Sequence, residues 1–314
     1  MSISSLQLMM LWSAIMDAPP ELLSRVLLAV VSIQATIRPD HASTAVLGEQ
    51  RMGTGVIVDT GGYLLTVNYV VLGADRLGIG LSDGRQFQGR LVAQDLTSGL
   101  AVVKIPPQEL SAVRLGSSMD IVLGQPVFLV AATGTGKLRV ADGFITYIGE
   151  FDTHWEYMLP KAIGLTIQNP GLGGAPVFDL AGRVVGIAAM DMYEVGRTTV
   201  AIPVEVYQLN RTELLEFGRV VSRPERAWIG AYLQPGERGV TVVGLVAGGP
   251  AEAAGIREGD VVLAVNFNTV ETRRDLYEEL WKKRAGEKVV FKILRKAGVV
   301  EVEVLGGSRE DFFK

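Results

Sequence analysis

No cysteine occurs among the 314 residues, which excludes disulfides, thiolate metal sites and cysteine nucleophiles. Histidine is nearly as scarce: the chain holds two, His41 and His154, so imidazole chemistry has few places to reside. No apolar run reaches the roughly 18 residues of a spanning helix. Excess positive charge is also missing, since 30 basic side chains face 34 acidic ones for a formal charge of −4. A nucleic-acid partner would find no electrostatic footprint. What is present is apolar: 48% hydrophobic against 20% charged residues excludes disorder, and the length predicts two domains with full cores.

The charge is unevenly spread, with 35 charged side chains in residues 1–222 and 29 in residues 223–314. The longer part reads as a β-rich, Gly-rich domain or one whose outside is covered by partners. Its first residues, from Ser5 through Leu8, Met9, Leu11 and Trp12 to Met16, are apolar and uncharged. No Lys or Arg precedes Arg25, whereas a secretory signal needs a positively charged start. The segment therefore reads as an apolar helix ended by Asp17 and Pro19-Pro20. It is expected to dock on its own chain, a sister subunit or, through residues 1–18, a membrane surface. On this ground a cytoplasmic or membrane-peripheral place is favoured.

Residues 27–203 alternate short β-rich runs, such as Gly55-Val56-Ile57-Val58, Tyr63-Leu64-Leu65-Thr66 and Val127-Phe128-Leu129-Val130, with turns such as Thr60-Gly61-Gly62 and Ser82-Asp83-Gly84. That rhythm predicts an all-β barrel or sandwich. Residues 204–219 read as a helix, with Val206, Leu209, Leu214, Leu215 and Phe217 near a 3.6 period, and Ser222-Arg223-Pro224 as a linker. Beyond it come strands at 228–233, 240–245 and 261–265, a short helix opened by Pro250, a longer one over 273–284 with Thr272 as N-cap, and a closing hairpin. The expected division is 1–19, an apolar interaction segment; 20–205, the first domain; 206–225, a helical linker; 226–306, a small α+β module; and 307–314, a tail.

Several strings carry a resemblance. They are Met52-Gly53-Thr54-Gly55-Val56-Ile57-Val58-Asp59, Gly62-Tyr63-Leu64-Leu65-Thr66-Val67-Asn68-Tyr69-Val70-Val71, Leu100-Ala101-Val102-Val103-Lys104-Ile105, Asn169-Pro170-Gly171-Leu172-Gly173-Gly174-Ala175-Pro176-Val177 and Ala201-Ile202-Pro203. In this order and spacing they resemble the HtrA/Deg family of trypsin-like serine proteases. Val246-Ala247-Gly248-Gly249-Pro250-Ala251-Glu252-Ala253-Ala254-Gly255, continuing to Gly259-Asp260-Val261, is similar to the PDZ domain that follows such proteases. The resemblance implies a trypsin-like double β-barrel followed by a small α+β PDZ domain. It also implies protein or peptide partners, assembly as a homo-oligomer, commonly a trimer, and a periplasmic place by analogy.

Three positions depart from the family pattern. Tyr69 stands where the general-base histidine is expected, Gly99 where the orienting aspartate is expected, and Gly173 where the nucleophilic serine is expected. A serine-protease triad works because an imidazole titrating near neutrality takes the hydroxyl proton while a carboxylate fixes its tautomer. A phenol with a pKa of about 10 does not serve as that base at neutral pH. The resulting expectation is that the chain is no enzyme but a degenerate serine protease, a pseudoprotease acting as a protein- or peptide-binding scaffold or assembly subunit. The alternatives are a holdase-like chaperone and an endopeptidase with displaced groups, for which Thr66, Thr97, Ser98 and Thr166 lie near in sequence but need His41 or His154 as base.

No cofactor or metal is expected. Asp152-Thr153-His154-Trp155-Glu156 offers three ligand types, yet at this spacing it reads as a solvated loop. Thr133-Gly134-Thr135-Gly136-Lys137 fails as a phosphate loop, with Ala131 and Leu138 at positions that need Gly and Ser or Thr. The binding machinery that the resemblance carries over is the loop Trp228-Ile229-Gly230-Ala231, expected to hold a peptide's terminal carboxylate on its amides. Leu276 and Leu280 on the facing helix are expected to form the apolar wall.

Overall fold

Valine-, isoleucine- and leucine-rich runs cut short by glycine turns pair here into three sheets. The computed structural model describes residues 20–107, 109–134, 136–171, 173–192 and 198–314. The apolar segment at 1–18 lies outside them. Two units result: one holds the described residues up to Gly149 together with Lys161–Val220, the other Glu150–Pro160 together with Val221–Lys314.

The first unit opens with a helix, Pro20–Ala29. Strands β1 (Val30–Ile37), β2 (Gln50–Ile57), β3 (Tyr63–Val67), β4 (Ala74–Leu81), β5 (Gln86–Asp95) and β6 (Leu100–Lys104) then close a barrel in the order β1-β2-β3-β6-β5-β4. Every neighbouring pair is antiparallel, for example Val30 opposite Val56 and Leu64 opposite Val103. A seven-stranded sheet follows, built from β7 (Arg114–Leu115), β8 (Pro126–Gly134), β9 (Lys137–Thr153), β10 (Tyr157–Leu165), β11 (Pro176–Asp179), β12 (Arg183–Met192) and β13 (Thr198–Pro203). Its order is β11-β8-β9-β10-β13-β12-β7, and β11 also pairs with β12, so this sheet closes too. Closure leaves no open edge among β8 to β13, while the two-residue β7 hangs on β12 outside the ring. Val127, Leu129, Ile163, Leu165, Val177 and Val185 fill its core.

The helix Glu205–Phe217, read in the sequence as the start of a linker, is instead part of this unit. Tyr207 anchors it by being buried, Arg211 pairs with Asp59, and the left-handed Gly218 that caps it accepts the amide of Gln94 on β5. A sequence periodicity shows that a helix has an apolar face and not which domain receives it.

The second unit contains β14 (Ala231–Gly236), β15 (Gly239–Leu245), β16 (Val261–Val265), β17 (Asn268–Thr269), β18 (Lys288–Arg295) and β19 (Gly298–Leu305). They form a sheet of order β14-β15-β16-β18-β19, with β17 paired to β16. The helix Arg273–Leu280 is shorter than the sequence suggests. It is opened by a capping box in which the Thr272 hydroxyl accepts from the Asp275 amide and the Asp275 carboxylate accepts in return. The expected double β-barrel and small α+β module are thus the observed architecture.

Candidate functional site

Tyr69 lies in a one-turn helix, Asn68–Val71, directly after β3. Arg51 holds that turn: buried itself, it donates to the carbonyls of Tyr69 (2.9 Å) and Leu72 (3.1 Å) and to Ser43 Oγ (2.6 Å). Burial pulls its pKa down to about 10. The Tyr69 hydroxyl donates to the Ala189 carbonyl at 2.9 Å. Burial first, and then the charge of Asp191, pushes its pKa up to about 12. It is a neutral donor at physiological pH, not a base.

Gly173 sits against this phenol. A Cβ placed on Gly173 would overlap the Tyr69 hydroxyl outright, so the tyrosine fills the space that a side chain at 173 would need. The Gly173 carbonyl accepts from the Thr54 amide at 2.9 Å. Gly99 has a φ of +83° and ties β6 to the turn by accepting the Asn68 amide at 2.7 Å. The fold therefore brings Tyr69 and Gly173 together, with Gly99 bonded to the residue before the tyrosine. None of the three supplies a hydroxyl nucleophile beside a base.

Of the displaced groups, Ser98 donates to Asp95 (2.7 Å) and Thr66 to the Thr54 carbonyl (2.7 Å). His41 is buried with Nδ1 2.7 Å from Ser43 Oγ, and Ser43 is buried as well. This pair cannot meet a polypeptide without opening the fold.

In the second unit the chain enters β14 through Trp228, Ile229 and Gly230. Gly230 has a φ of +74°, a conformation that turns successive amides to one side. The amides of Ile229, Gly230 and Ala231 converge on one carboxylate, that of Glu156, at 3.1, 2.6 and 2.9 Å. Trp228 takes no part: its amide donates to the Gly307 carbonyl, and its ring packs on Phe312 at 4.7 Å and on Phe313. Leu276 and Leu280 are fully buried in the same core cluster as Ile229, Ala231 and Leu233, with Met158 packed against it.

The segment read as a solvated loop is the largest departure from expectation. Glu156 is 4% exposed and Thr153 2% exposed, and the segment belongs to the second unit. Tyr277 Oη accepts from the Glu156 amide (3.0 Å) and donates to the Thr153 carbonyl (2.6 Å), and Arg273 donates to Asp152 Oδ1 (2.7 Å). Burial pushes the Glu156 pKa up to about 7, against the downward pull of the three amides and Arg309. Its polar composition concealed this burial. The signal that could have found it is the run of matched groups, Glu150, Asp152 and Glu156 against Arg273, Arg274 and a loop of free amides. Among the described residues no group of three or more acidic or histidine side chains is placed to hold a metal.

A model of the trypsin-like peptidase domain matches residues 53–187, and one of the PDZ domain matches residues 227–305. The chain is similar to a probable periplasmic serine endoprotease, DegP-like, of Hahella chejuensis, with 30% identity over 270 residues, 81% of this chain and 56% of the relative. A protein of the same description from Halomonas elongata is 30% identical over 83% of this chain and 57% of its own length. The chain thus spans about half the length of the curated relatives it matches. Among solved structures, the HtrA-type protease AlgW with a decapeptide has a TM-score of 0.55 at 26% identity, covering 92% of this chain and 98% of that one. A serine endoprotease from Yersinia pestis has a TM-score of 0.54 at 22% identity, which bears on the fold alone. These relatives correct the expectation that the chain is no enzyme: they are named serine endoproteases, and loss of the familiar triad letters is not a basis for placing it outside an enzyme family.

Proposed function

The chain belongs to the HtrA family of trypsin-like serine proteases with a C-terminal PDZ domain, and from that premise we propose that it acts on polypeptides that its PDZ unit holds by their C-terminal carboxylate. The observation that carries this reading is the seat made by the Ile229, Gly230 and Ala231 amides, three donors aimed at one carboxylate. β14 is the edge strand of its sheet, so a peptide entering the seat can extend the sheet by one strand. A solved relative described as holding a decapeptide supports the same reading. Holding a peptide in this way needs no triad, and it serves a scaffold or assembly subunit as well as an endoprotease.

Calorimetry with peptides that differ only in the terminus tests the reading. Hydrogen bonds to a charged group contribute about 1.5–3 kcal/mol each, so amidation should weaken binding roughly ten- to a hundredfold. Equal affinity for acid and amide forms would remove the carboxylate seat. Endopeptidase turnover, the activity in the relatives' names, needs a hydroxyl other than at positions 69, 99 and 173. A fluorophosphonate probe followed by peptide mapping locates that hydroxyl. The compartment proposed is the periplasm, on the relatives' descriptions.

A further inference from the structure

The carboxylate seat has an occupant supplied by the chain itself. Glu156 lies where the last residue of a bound peptide would lie, and the residues before it follow the course such a peptide would take. The Leu233 amide, on the open side of β14, donates to the His154 carbonyl at 2.8 Å, the start of the strand pairing by which a peptide adds to a sheet edge. On the other side the helix Arg273–Leu280 holds the same stretch through Tyr277 and Arg273. Arg274 pairs with Glu150 further back. Polarity matches as well: the carboxylate is at the amide loop, and residues of lower number run away from it along β14.

Two further observations separate this arrangement from an ordinary buried contact. Glu156 has a φ of +54°, a left-handed conformation that is strained for a non-glycine residue. A carboxylate buried this deeply is expensive unless its oxygens are fully engaged. Both costs are borne at the one residue whose side chain reaches the amides.

We infer that residues 152–156 are an internal peptide ligand, with the Glu156 carboxylate in the seat of an incoming C-terminus, so that a free peptide must displace this segment to enter. The inference rests on the peptide-holding reading above. A tethered competitor acts at high effective concentration, so the apparent affinity for an external peptide is lowered by the fraction of molecules whose seat is open.

The test uses the full chain and a fluorescein-labelled decapeptide ending in leucine, as the free acid and as the amide, with anisotropy as the readout. Glu156→Gly removes the competing carboxylate and suits the positive φ. Glu156→Gln keeps the volume and one acceptor, and melting curves establish that each variant is folded. The expected result is that Glu156→Gly binds the acid peptide at least tenfold more tightly than the wild type, with Glu156→Gln between them and the amide weak throughout. Equal affinity of wild type and Glu156→Gly for the acid, with the amide still weak, would overturn the internal ligand and leave the peptide reading standing. If no form prefers acid to amide, the peptide reading falls, and hydrogen exchange at Ile229, Gly230 and Ala231 decides the rest. Exchange at least tenfold faster in Glu156→Gly keeps Glu156 in the seat, and unchanged exchange removes it.

Discussion

Tyr69 and Gly173 are coupled because one fills the space that the other leaves. Adding a side chain at 173 forces the phenol out of its contact with the Ala189 carbonyl, and overpacking of this kind costs about 1–3 kcal/mol. Gly173→Ser alone is expected to lower the thermal midpoint by roughly 5 °C, and Tyr69→His in the same chain to recover most of that loss. Equal midpoints for the single and double variants in calorimetry would mean that Tyr69 swings aside without cost. Glu156 gives a second prediction at this scale. Its carboxyl titrates at about 7 in the fold against 4.5 free, burial being the dominant cause. Tyr277 and Arg309 face it, and Arg309 opposes the shift. A raised acid pKa means that the folded state binds the proton more tightly. The contribution of this group to stability is therefore greatest below the free value of 4.5, falls as pH rises toward 7 by about 3 kcal/mol, and is level above that. Melts of the wild type against Glu156→Gln from pH 4.5 to 8 read this difference directly, and a pH-independent gap would refute it.

Among the elements, the helix Arg273–Leu280 matters most, because it carries Tyr277 and Arg273 onto the internal segment. Its start depends on the Thr272–Asp275 capping box, which holds the Asp275 carboxyl below its usual range chiefly through the Thr272 amide. Thr272→Ala should cost about 1 kcal/mol and speed hydrogen exchange at residues 153–156, whereas Thr272→Ser should leave both near wild type. Loss of stability without faster exchange there would detach the helix from the segment. This capping box was legible in the sequence as a threonine three residues before an aspartate, and so were most strands, because their valine and isoleucine runs end at glycine turns. What was not legible has a common cause. His41, Thr153 and Glu156 are polar residues that the fold buries, and burial of a polar group depends on partners distant in sequence, Gly73 for the first and Tyr277 with the 229–231 amides for the other two. The leucines expected as a pocket wall are core residues for the converse reason: apolar composition marks burial and not whether the covering atoms are ligand or chain.

For the molecule as a whole, the first part is charge-poor, with 35 charged side chains in residues 1–222. The helix Pro20–Ala29 presents Leu23 and Leu28 to solvent at 38% and 44% exposure. It follows directly on the apolar residues 1–18, which include Leu8, Met9, Leu11 and Trp12 and lie outside the described residues. Exposed apolar side chains continuous with an apolar segment suit contact with a sister subunit, and a closed ring of like contacts gives a defined oligomer. The family resemblance implies a trimer. Light scattering on the full chain should then give about three times the 33.8 kDa of one copy, and removal of residues 1–18 should lower the mass toward a single chain. Leu28→Lys, which adds charge to the same face without shortening the chain, should weaken assembly in the same direction and make it depend on protein concentration. A truncated chain that keeps the full mass would show that the segment packs on its own barrel and that subunits, where they meet, meet elsewhere.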